Sequence, residues 1–133
     1  KLRGIELSEK TSPPISQILD ELPILAVAAT QAEGKTIFRD AGELRVKESD
    51  RITAISVGLS DFGAKVEAKE DGMVIEGGFV LRGEEANSFG DHRIAMALRV
   101  AGVMAGGGTR ILGFEAADIS YPLFSRDLEK VLE

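Results

Sequence analysis

Two alanine-rich apolar segments, residues 22–29 and 94–104, constrain the fold more than any other feature of the sequence. Both are too long for typical strands, and both carry apolar side chains on nearly every side of a helix. This pattern predicts helices that are buried on most of their surface, because no polar face is left for solvent. Each segment follows an acidic residue, Asp20 or Asp91, that is suited to cap a helix N-terminus.

Amphipathic helices and short strands occupy the rest of the chain. Residues 52–62 place apolar side chains three and four positions apart, which predicts a helix with one apolar face. Ser49 or Asp50 can cap this helix, and Gly63 can end it. Residues 124–132 predict a second amphipathic helix, started by Pro122. Strands are expected at residues 4–7, 36–38, 65–69, 73–76, 80–82 and 109–112, with a hairpin turn at residues 70–72.

The order of these elements occurs twice, over residues 20–64 and 91–133. In each copy an acidic cap precedes a buried helix, and a glycine-x-threonine strand and an amphipathic helix follow. Gly34 is expected to end the first buried helix, and residues 106–108 to end the second. We interpret the two copies as a structural duplication of one α/β unit, in which neither copy can bury its helices alone.

Composition limits the classes of function open to the chain. Its 133 residues carry 22 acidic and 16 basic side chains, and the formal net charge of −6 disfavours nucleic acid or an anionic membrane as a partner. The absence of cysteine excludes disulfides and thiolate nucleophiles, and a single histidine excludes a multi-histidine metal site. No apolar run approaches the roughly 20 residues of a membrane span, and the first residues do not resemble a signal peptide. We therefore expect a cytoplasmic protein with no nucleic-acid or membrane partner.

Three polar clusters lie at or just before predicted helix starts, at residues 20–21, 45–51 and 90–93. Helix N-termini suit anions, and arginine adds a planar fork for carboxylate or phosphate. The clusters predict small anionic ligands held at a few points, with Lys47 and Arg51 on one face of an opening helical turn. The residues alone leave other readings open, namely a cap at Asp20, a solvated charge run at residues 47–51 and a capped helix start at residues 91–93. Residues 106–108 follow a helix and precede a strand, so they predict a turn and not a dinucleotide-binding loop.

Four motifs connect these clusters to a known family. Residues 44–51 are LRVKESDR, which resembles the R-V-K-E-[ST]-D-R signature of the 5-enolpyruvylshikimate-3-phosphate synthases. Residues 90–97 are GDHRIAMA, which resembles the second signature of that family, D-H-R-[MI]-A-M. Residues 20–29 resemble its D-E-[IL]-P stretch, and residues 120–122 resemble its terminal [ST]-[FY]-P. The four motifs occur in the family's order and cover the chain from Asp20 to its end.

The resemblance implies a transferase that moves the enolpyruvyl group of phosphoenolpyruvate to the 5-hydroxyl of shikimate 3-phosphate and releases phosphate. It implies neither a cofactor nor a metal ion. Asp20 matches the family's aspartate that contacts the shikimate hydroxyls and accepts a proton. Glu48 matches the glutamate that moves a proton to and from the methylene carbon. Such an addition and elimination needs an acid and a base that exchange roles inside a cationic site.

The resemblance also implies substrate contacts for four further residues. Lys47 is expected near the reacting hydroxyl and the shikimate ring. Arg51 and Arg93 are expected to bind phosphoenolpyruvate, and His92 is expected to line the same site.

The chain departs from the family pattern at several points. Ile119 stands where some members have a lysine that contacts phosphoenolpyruvate, and Glu43 stands where some have an asparagine, so neither is assigned a role. The family's lysine-serine motif and its G-x-x-G-T-x-x-R motif are absent. The resemblance therefore implies the C-terminal part of one enolpyruvyl transferase domain, over residues 1–133. This partial α/β domain would contain about two βαβαββ units, with buried helices inside sheets and amphipathic helices. We expect it to need the N-terminal remainder of the enzyme as its partner and to be inactive alone.

Two alternatives stay open from the sequence. One is an enzyme like the UDP-N-acetylglucosamine enolpyruvyl transferase, which shares the fold and phosphoenolpyruvate. The other is a non-catalytic structural module whose site residues are relics. The R-V-K-E-S-D-R and D-H-R signatures favour the shikimate enzyme, and the joint presence of the charged site residues favours an enzyme over a module.

Overall fold

The computed structural model describes all 133 residues, which form four α-helices, six strands and four short 3-10 helices. The helices are α1 (Leu22–Ala29), α2 (Arg51–Asp61), α3 (His92–Met104) and α4 (Phe124–Leu132). The strands are β1 (Glu6–Leu7), β2 (Lys35–Phe38), β3 (Lys65–Lys69), β4 (Gly72–Glu76), β5 (Glu85–Asn87) and β6 (Arg110–Leu112). No helix in this fold combines the length and the apolar composition needed to span a bilayer.

The strands form two separate sheets. The larger sheet has the order β1-β2-β4-β3, in which β1 is parallel to β2 and the other neighbours are antiparallel. The smaller sheet contains β5 and β6, which are parallel. Parallel neighbours need a crossover connection, and α1 and α3 lie in these two crossovers. The α/β fold class is confirmed. The same order of elements occurs twice, as β1-α1-β2-α2 and as β5-α3-β6-α4. A hairpin follows only the first of these two series. Their origin by duplication stays a prediction.

The two alanine-rich helices lie in the core, as their composition predicts. α1 packs against α3, and both contact α2. Leu22, Ala26, Ile94 and Leu98 are buried within a single cluster of 23 apolar residues. One side of α1 nevertheless stays open, since Ile24 is exposed. The apolar composition of α1 therefore exceeds what the described residues can cover.

An aspartate side chain caps α2 and α3, but none caps α1. Asp20 was expected to cap α1, and this prediction is wrong, because Asp20 lies in the 3-10 helix that precedes α1 and makes no cap bond. Its carboxylate accepts a hydrogen bond from Arg51 instead. Asp50 and Asp91 do cap α2 and α3, since their side chains accept hydrogen bonds from first-turn backbone N–H groups.

The strand predictions are confirmed for β2, β6 and the β3–β4 hairpin and are wrong at residues 80–82. That segment is a loop, in which Leu81 is buried and Val80 is exposed, so the apolar pattern arose from one side chain that packs in the core. The partner of β6 is instead β5, whose sequence Glu-Ala-Asn has no strand pattern.

Gly34 was expected to end α1, but the helix already ends at Ala29. Gly34 lies in the turn that leads to β2 and has a φ of 84°.

Gly72, at the start of β4, has no room for a side chain. A Cβ atom there would lie 1.8 Å from the carbonyl oxygen of Phe38. We expect Gly72→Ala to lower the free energy of unfolding by about 2 kcal/mol, because the two strands would have to separate. Gly42→Ala is the matched control, since a Cβ there would meet no atom closer than 3.7 Å. Urea denaturation measures both variants, and equal stability would contradict the close approach.

Candidate active site

The buried guanidinium of Arg51 lies at the centre of the candidate site. Arg51 is the first residue of α2 and is only 1% exposed. Its Nε donates a hydrogen bond to Asp91 Oδ2 over 2.9 Å, and its Nη1 donates to Asp20 Oδ1 over 3.0 Å. Its Nη2 donates to Glu48 Oε2 and, over 3.3 Å, to Asp91 Oδ1. One arginine therefore joins three carboxylates that come from three segments of the chain.

Asp91 is the buried partner of this arginine. Its carboxylate also accepts hydrogen bonds from Ser49 Oγ at 2.7 Å and from the backbone N–H of Arg93 at 2.9 Å. Burial alone would raise the pKa of Asp91, but the bonds from Arg51 and Ser49 outweigh burial and hold that pKa below its usual value. Burial alone would likewise lower the pKa of Arg51, but its bonds to Asp91 raise it above the usual value. The pair is therefore ionised at neutral pH.

The lowered pKa of Asp91 predicts that the fold is sensitive to acid. A carboxyl group with a lower pKa in the folded state stabilises the fold above its unfolded pKa, which is about 3.9 for aspartate. That contribution is lost as the pH falls through the folded pKa. We expect the free energy of unfolding to decrease as the pH is lowered below about 5. Urea denaturation across this range measures the slope, and Asp91→Asn should show a shallower one; identical slopes would count against the assignment.

Asp20 and Glu48 lie on the solvent-facing side of the guanidinium. Their side chains are 49% and 57% exposed, whereas that of Asp91 is fully buried. Two guanidinium nitrogens of Arg51 therefore face exposed carboxylates, and Nε faces the interior. Asp91 thus holds the guanidinium from the interior, and Asp20 and Glu48 hold it from the solvent-facing side.

Arg93 and His92, at the start of α3, flank this solvent-facing side. Arg93 Nη2 lies 4.0 Å from Asp20 Oδ2, and His92 Nε2 lies 3.8 Å from Glu48 Oε2. A cleft of about 240 Å³ opens beside Asp20 and Arg93, and most of its lining is apolar. The structure thus joins five of the six predicted site residues in one network of charged contacts centred on Arg51, and two of them, Asp20 and Arg93, line the cleft.

Lys47 is the sixth predicted residue, and the ion pairs of the site do not include it. It is half-buried at the end of the 3-10 helix Gly42–Val46, where its backbone is extended. The prediction that Lys47 and Arg51 share an opening helical turn is wrong, because α2 begins only at Arg51. The ammonium group of Lys47 thus forms no ion pair with the carboxylates of the site.

Three contacts of the site have no signal in the local sequence. Asp91 was interpreted only as part of a capped helix start, yet it also holds Arg51, which lies 40 positions earlier in the chain. Ser49 bonds Asp91 across a similar separation. Ser120 Oγ lies 2.6 Å from His92 Nδ1. These partners meet only when the start of α3 packs against the start of α2 and the segment after β6, so no spacing rule finds them.

Glu48, Asp91 and His92 each place one potential metal-ligand atom within 4.8 Å of the other two. Both carboxylates of this group already accept hydrogen bonds from Arg51. The oxygens that a metal ion would need are therefore already engaged by a cationic side chain of the chain itself.

Comparison with protein families decides what this arrangement belongs to. The model of a family described as EPSP synthase (3-phosphoshikimate 1-carboxyvinyltransferase) matches residues 6–128. The chain belongs to the EPSP synthase family. The matched region includes every residue of the site described above.

Relatives and solved structures agree with the EPSP synthase family. A 3-phosphoshikimate 1-carboxyvinyltransferase of Roseiflexus sp. (strain RS-1) is 51% identical over 133 residues, and one of Bacillus cereus (strain ZK / E33L) is 48% identical over 130 residues. These matches cover 100% and 98% of the chain but 30% of each relative. An EPSP synthase structure from Acinetobacter baumannii matches with a TM-score of 0.80 and 37% identity, covering 98% of this chain and 30% of that chain. The chain thus has the fold of a partial EPSP synthase domain and spans about 30% of the length of these relatives.

Proposed function

We propose that the chain is the C-terminal part of an enzyme that transfers the enolpyruvyl group of phosphoenolpyruvate to the 5-hydroxyl of shikimate 3-phosphate. The observation that carries this proposal is the arrangement of Asp20 and Glu48, two exposed carboxylates that bond different nitrogens of one buried arginine. The match to the EPSP synthase family favours this reaction over transfer to UDP-N-acetylglucosamine and over a non-catalytic module. A cytoplasmic location, without a nucleic-acid or membrane partner, belongs to the same proposal.

The reaction divides into an addition and an elimination. In the addition, the 5-hydroxyl loses a proton, its oxygen bonds C2 of phosphoenolpyruvate, and the methylene carbon gains a proton. In the elimination, the resulting methyl group loses a proton and the bond between C2 and the phosphate oxygen breaks. Asp20 accepts the hydroxyl proton, and Glu48 delivers and then removes the proton on carbon. These roles need two carboxylates at separate positions, and Arg51 holds them apart.

The cations of the site bind the two phosphorylated substrates. The guanidinium groups of Arg51 and Arg93 suit the carboxylate and phosphate of phosphoenolpyruvate, because each offers several donors in one plane. Lys47 contributes a third positive charge near the reacting hydroxyl. An anion that bonds Arg51 Nη1 takes the place of Asp20, whereas Glu48 keeps its bond to Nη2. The carboxylate of Asp20 is then free to accept the hydroxyl proton, and the second oxygen of Glu48 is free to exchange the proton on carbon.

The remainder of the enzyme is the proposed partner, and two uncovered apolar surfaces support it. α4 buries none of its residues, and Leu123, Val131 and Leu132 are exposed. A second surface lies beside β1, where Leu2 and Ile5 help to line an apolar cavity of about 110 Å³. An amphipathic helix gains most of its stability from packing its apolar face. Both surfaces therefore fit a larger domain from which this chain supplies one part.

Reconstitution tests the proposal directly. The 133-residue chain is mixed with a second chain that covers the rest of the enzyme, and phosphate release from phosphoenolpyruvate is measured with shikimate 3-phosphate as acceptor. We expect release from the mixture and none from either chain alone. Turnover by the 133 residues alone would overturn the expected division of the site. Release with UDP-N-acetylglucosamine in place of shikimate 3-phosphate would support the sister enzyme instead.

A further inference from the structure

We propose that Ser120 is a positioning residue that fixes the tautomer and the ring orientation of His92 against Glu48. Ser120 Oγ lies 2.6 Å from His92 Nδ1, and His92 Nε2 lies 3.8 Å from Glu48 Oε2. The two ring nitrogens of His92 therefore face different partners on opposite sides of the ring. The catalytic part of this inference rests on the proposed function, in which Glu48 moves a proton.

The chemistry of the two partners selects one neutral tautomer. Glu48 Oε2 accepts a hydrogen bond from Arg51, and an accepting oxygen favours an N–H, not a lone pair, on the ring nitrogen that lies 3.8 Å from it. A serine hydroxyl can donate, so Ser120 donates its O–H to Nδ1 of His92. The bond made by one ring nitrogen decides which nitrogen is protonated. Ser120 thereby keeps the Nε2–H of His92 directed at Glu48.

This arrangement also distinguishes the two oxygens of Glu48. Oε2 accepts the hydrogen bond from Arg51 Nη2 and is the oxygen that faces His92. Both contacts fall on the same atom, so Oε1 is the oxygen left for a reacting proton. A ring flip turns Nε2 of His92 away from this oxygen, and a change of tautomer makes a lone pair face it in place of the N–H.

Packing places Ser120 beside His92 without help from the hydroxyl. The 3-10 helix Phe114–Ile119 packs against α3 through a cluster of small buried residues. The cluster consists of Ala95, Ala116 and Ala117. The backbone N–H of Ser120 donates to the carbonyl oxygen of Ala117 over 3.3 Å. Since none of these contacts uses the serine hydroxyl, its removal leaves the backbone in place and isolates the bond to His92.

The chain contains one histidine, so nitrogen-15 NMR reports on His92 without ambiguity. Spectra are taken at a pH high enough that the ring signals no longer change with pH, so that the neutral ring is observed. We expect the proton on Nε2 in the unmodified chain and in Ser120→Thr, which keeps a hydroxyl. We expect Ser120→Ala to populate both tautomers. Ser125→Ala removes an exposed hydroxyl from α4 and should leave the spectrum unchanged. An Nε2–H tautomer in Ser120→Ala as pure as in the unmodified chain would overturn the proposal.

Turnover gives the second readout. In the reconstituted enzyme we expect Ser120→Ala to lower kcat about tenfold, with little change in either KM, and Ser120→Thr to restore it. An unchanged kcat in Ser120→Ala would overturn the positioning role. The NMR measurement needs no turnover, so the two proposals fail separately. If the tautomer depends on Ser120 while the reconstituted protein is inactive, the contact is supported and the proposed function is overturned.

Discussion

Asp91→Asn is expected to lower the free energy of unfolding of the chain by about 3 kcal/mol. Asparagine has nearly the same shape and still caps a helix, so the start of α3 keeps its hydrogen bonds. What disappears is the one buried negative charge that faces Arg51. Asp20 and Glu48 compensate only in part, because both lie on the solvent-facing side. Urea denaturation of the two chains at neutral pH measures the difference.

Two further variants separate charge from general disruption at this position. Ser49→Ala removes one hydrogen bond to Asp91 and leaves both charges, so we expect a loss of about 1 kcal/mol. Arg51→Met should be costly in the unmodified chain but nearly neutral when added to Asp91→Asn, since the double variant contains no unpaired buried ion. Strictly additive losses would show that the two residues act independently.

Glu48→Gln is expected to lower kcat of the reconstituted enzyme by about 10² to 10⁴. The glutamine keeps the length of the side chain and can still accept a hydrogen bond from Arg51 through its amide oxygen. It can no longer take up and release the proton on carbon. The KM for phosphoenolpyruvate should not rise, because the negative charge that competes for Arg51 has been removed. Phosphate release over a range of both substrates separates the two parameters.

The control for this substitution is Glu70→Gln, which removes an exposed carboxylate from the hairpin turn. We expect its kinetics to match those of the unmodified enzyme. Asp20→Ala extends the test to the second carboxylate and should also lower turnover far more than it weakens binding. A Glu48→Gln enzyme with normal kcat and raised KM would assign Glu48 to substrate binding and would remove it from proton transfer.

Hydrophobic periodicity predicted the elements whose signals are local. α2 and the β3–β4 hairpin follow from the spacing of apolar residues and from the turn at residues 70–72, and α3 follows from its long, alanine-rich apolar segment. β5 was missed because its pairing comes from β6, which lies more than twenty positions later. The cap prediction for Asp20 is wrong because a carboxylate before an apolar helix can either cap that helix or form an ion pair, and the local sequence does not distinguish the two. The outcome was decided by Arg51, which lies 31 positions away.

The motifs predicted which residues form the site, but they did not predict which of those residues are buried or which contact one another. The resemblance brought Arg51 into the site as a residue that binds substrate. Nothing in residues 44–51 indicates that its side chain is buried, and charged residues of this kind are mostly exposed. Its burial results from packing the start of α2 against the start of α3, which also supplies Asp91. The division of three carboxylates into one interior anchor and two exposed groups therefore required the structure.

The link between Arg51 and Asp91 also restricts how this part of the chain can evolve. The two residues lie 40 positions apart in the chain, yet a change of charge at either position leaves the other ion buried without its interior partner. Any route to a different pair of residues passes through an intermediate that is less stable than both ends. Drift at these two positions is therefore expected to proceed by coupled replacement, or to wait until stabilising substitutions elsewhere make a temporary loss tolerable.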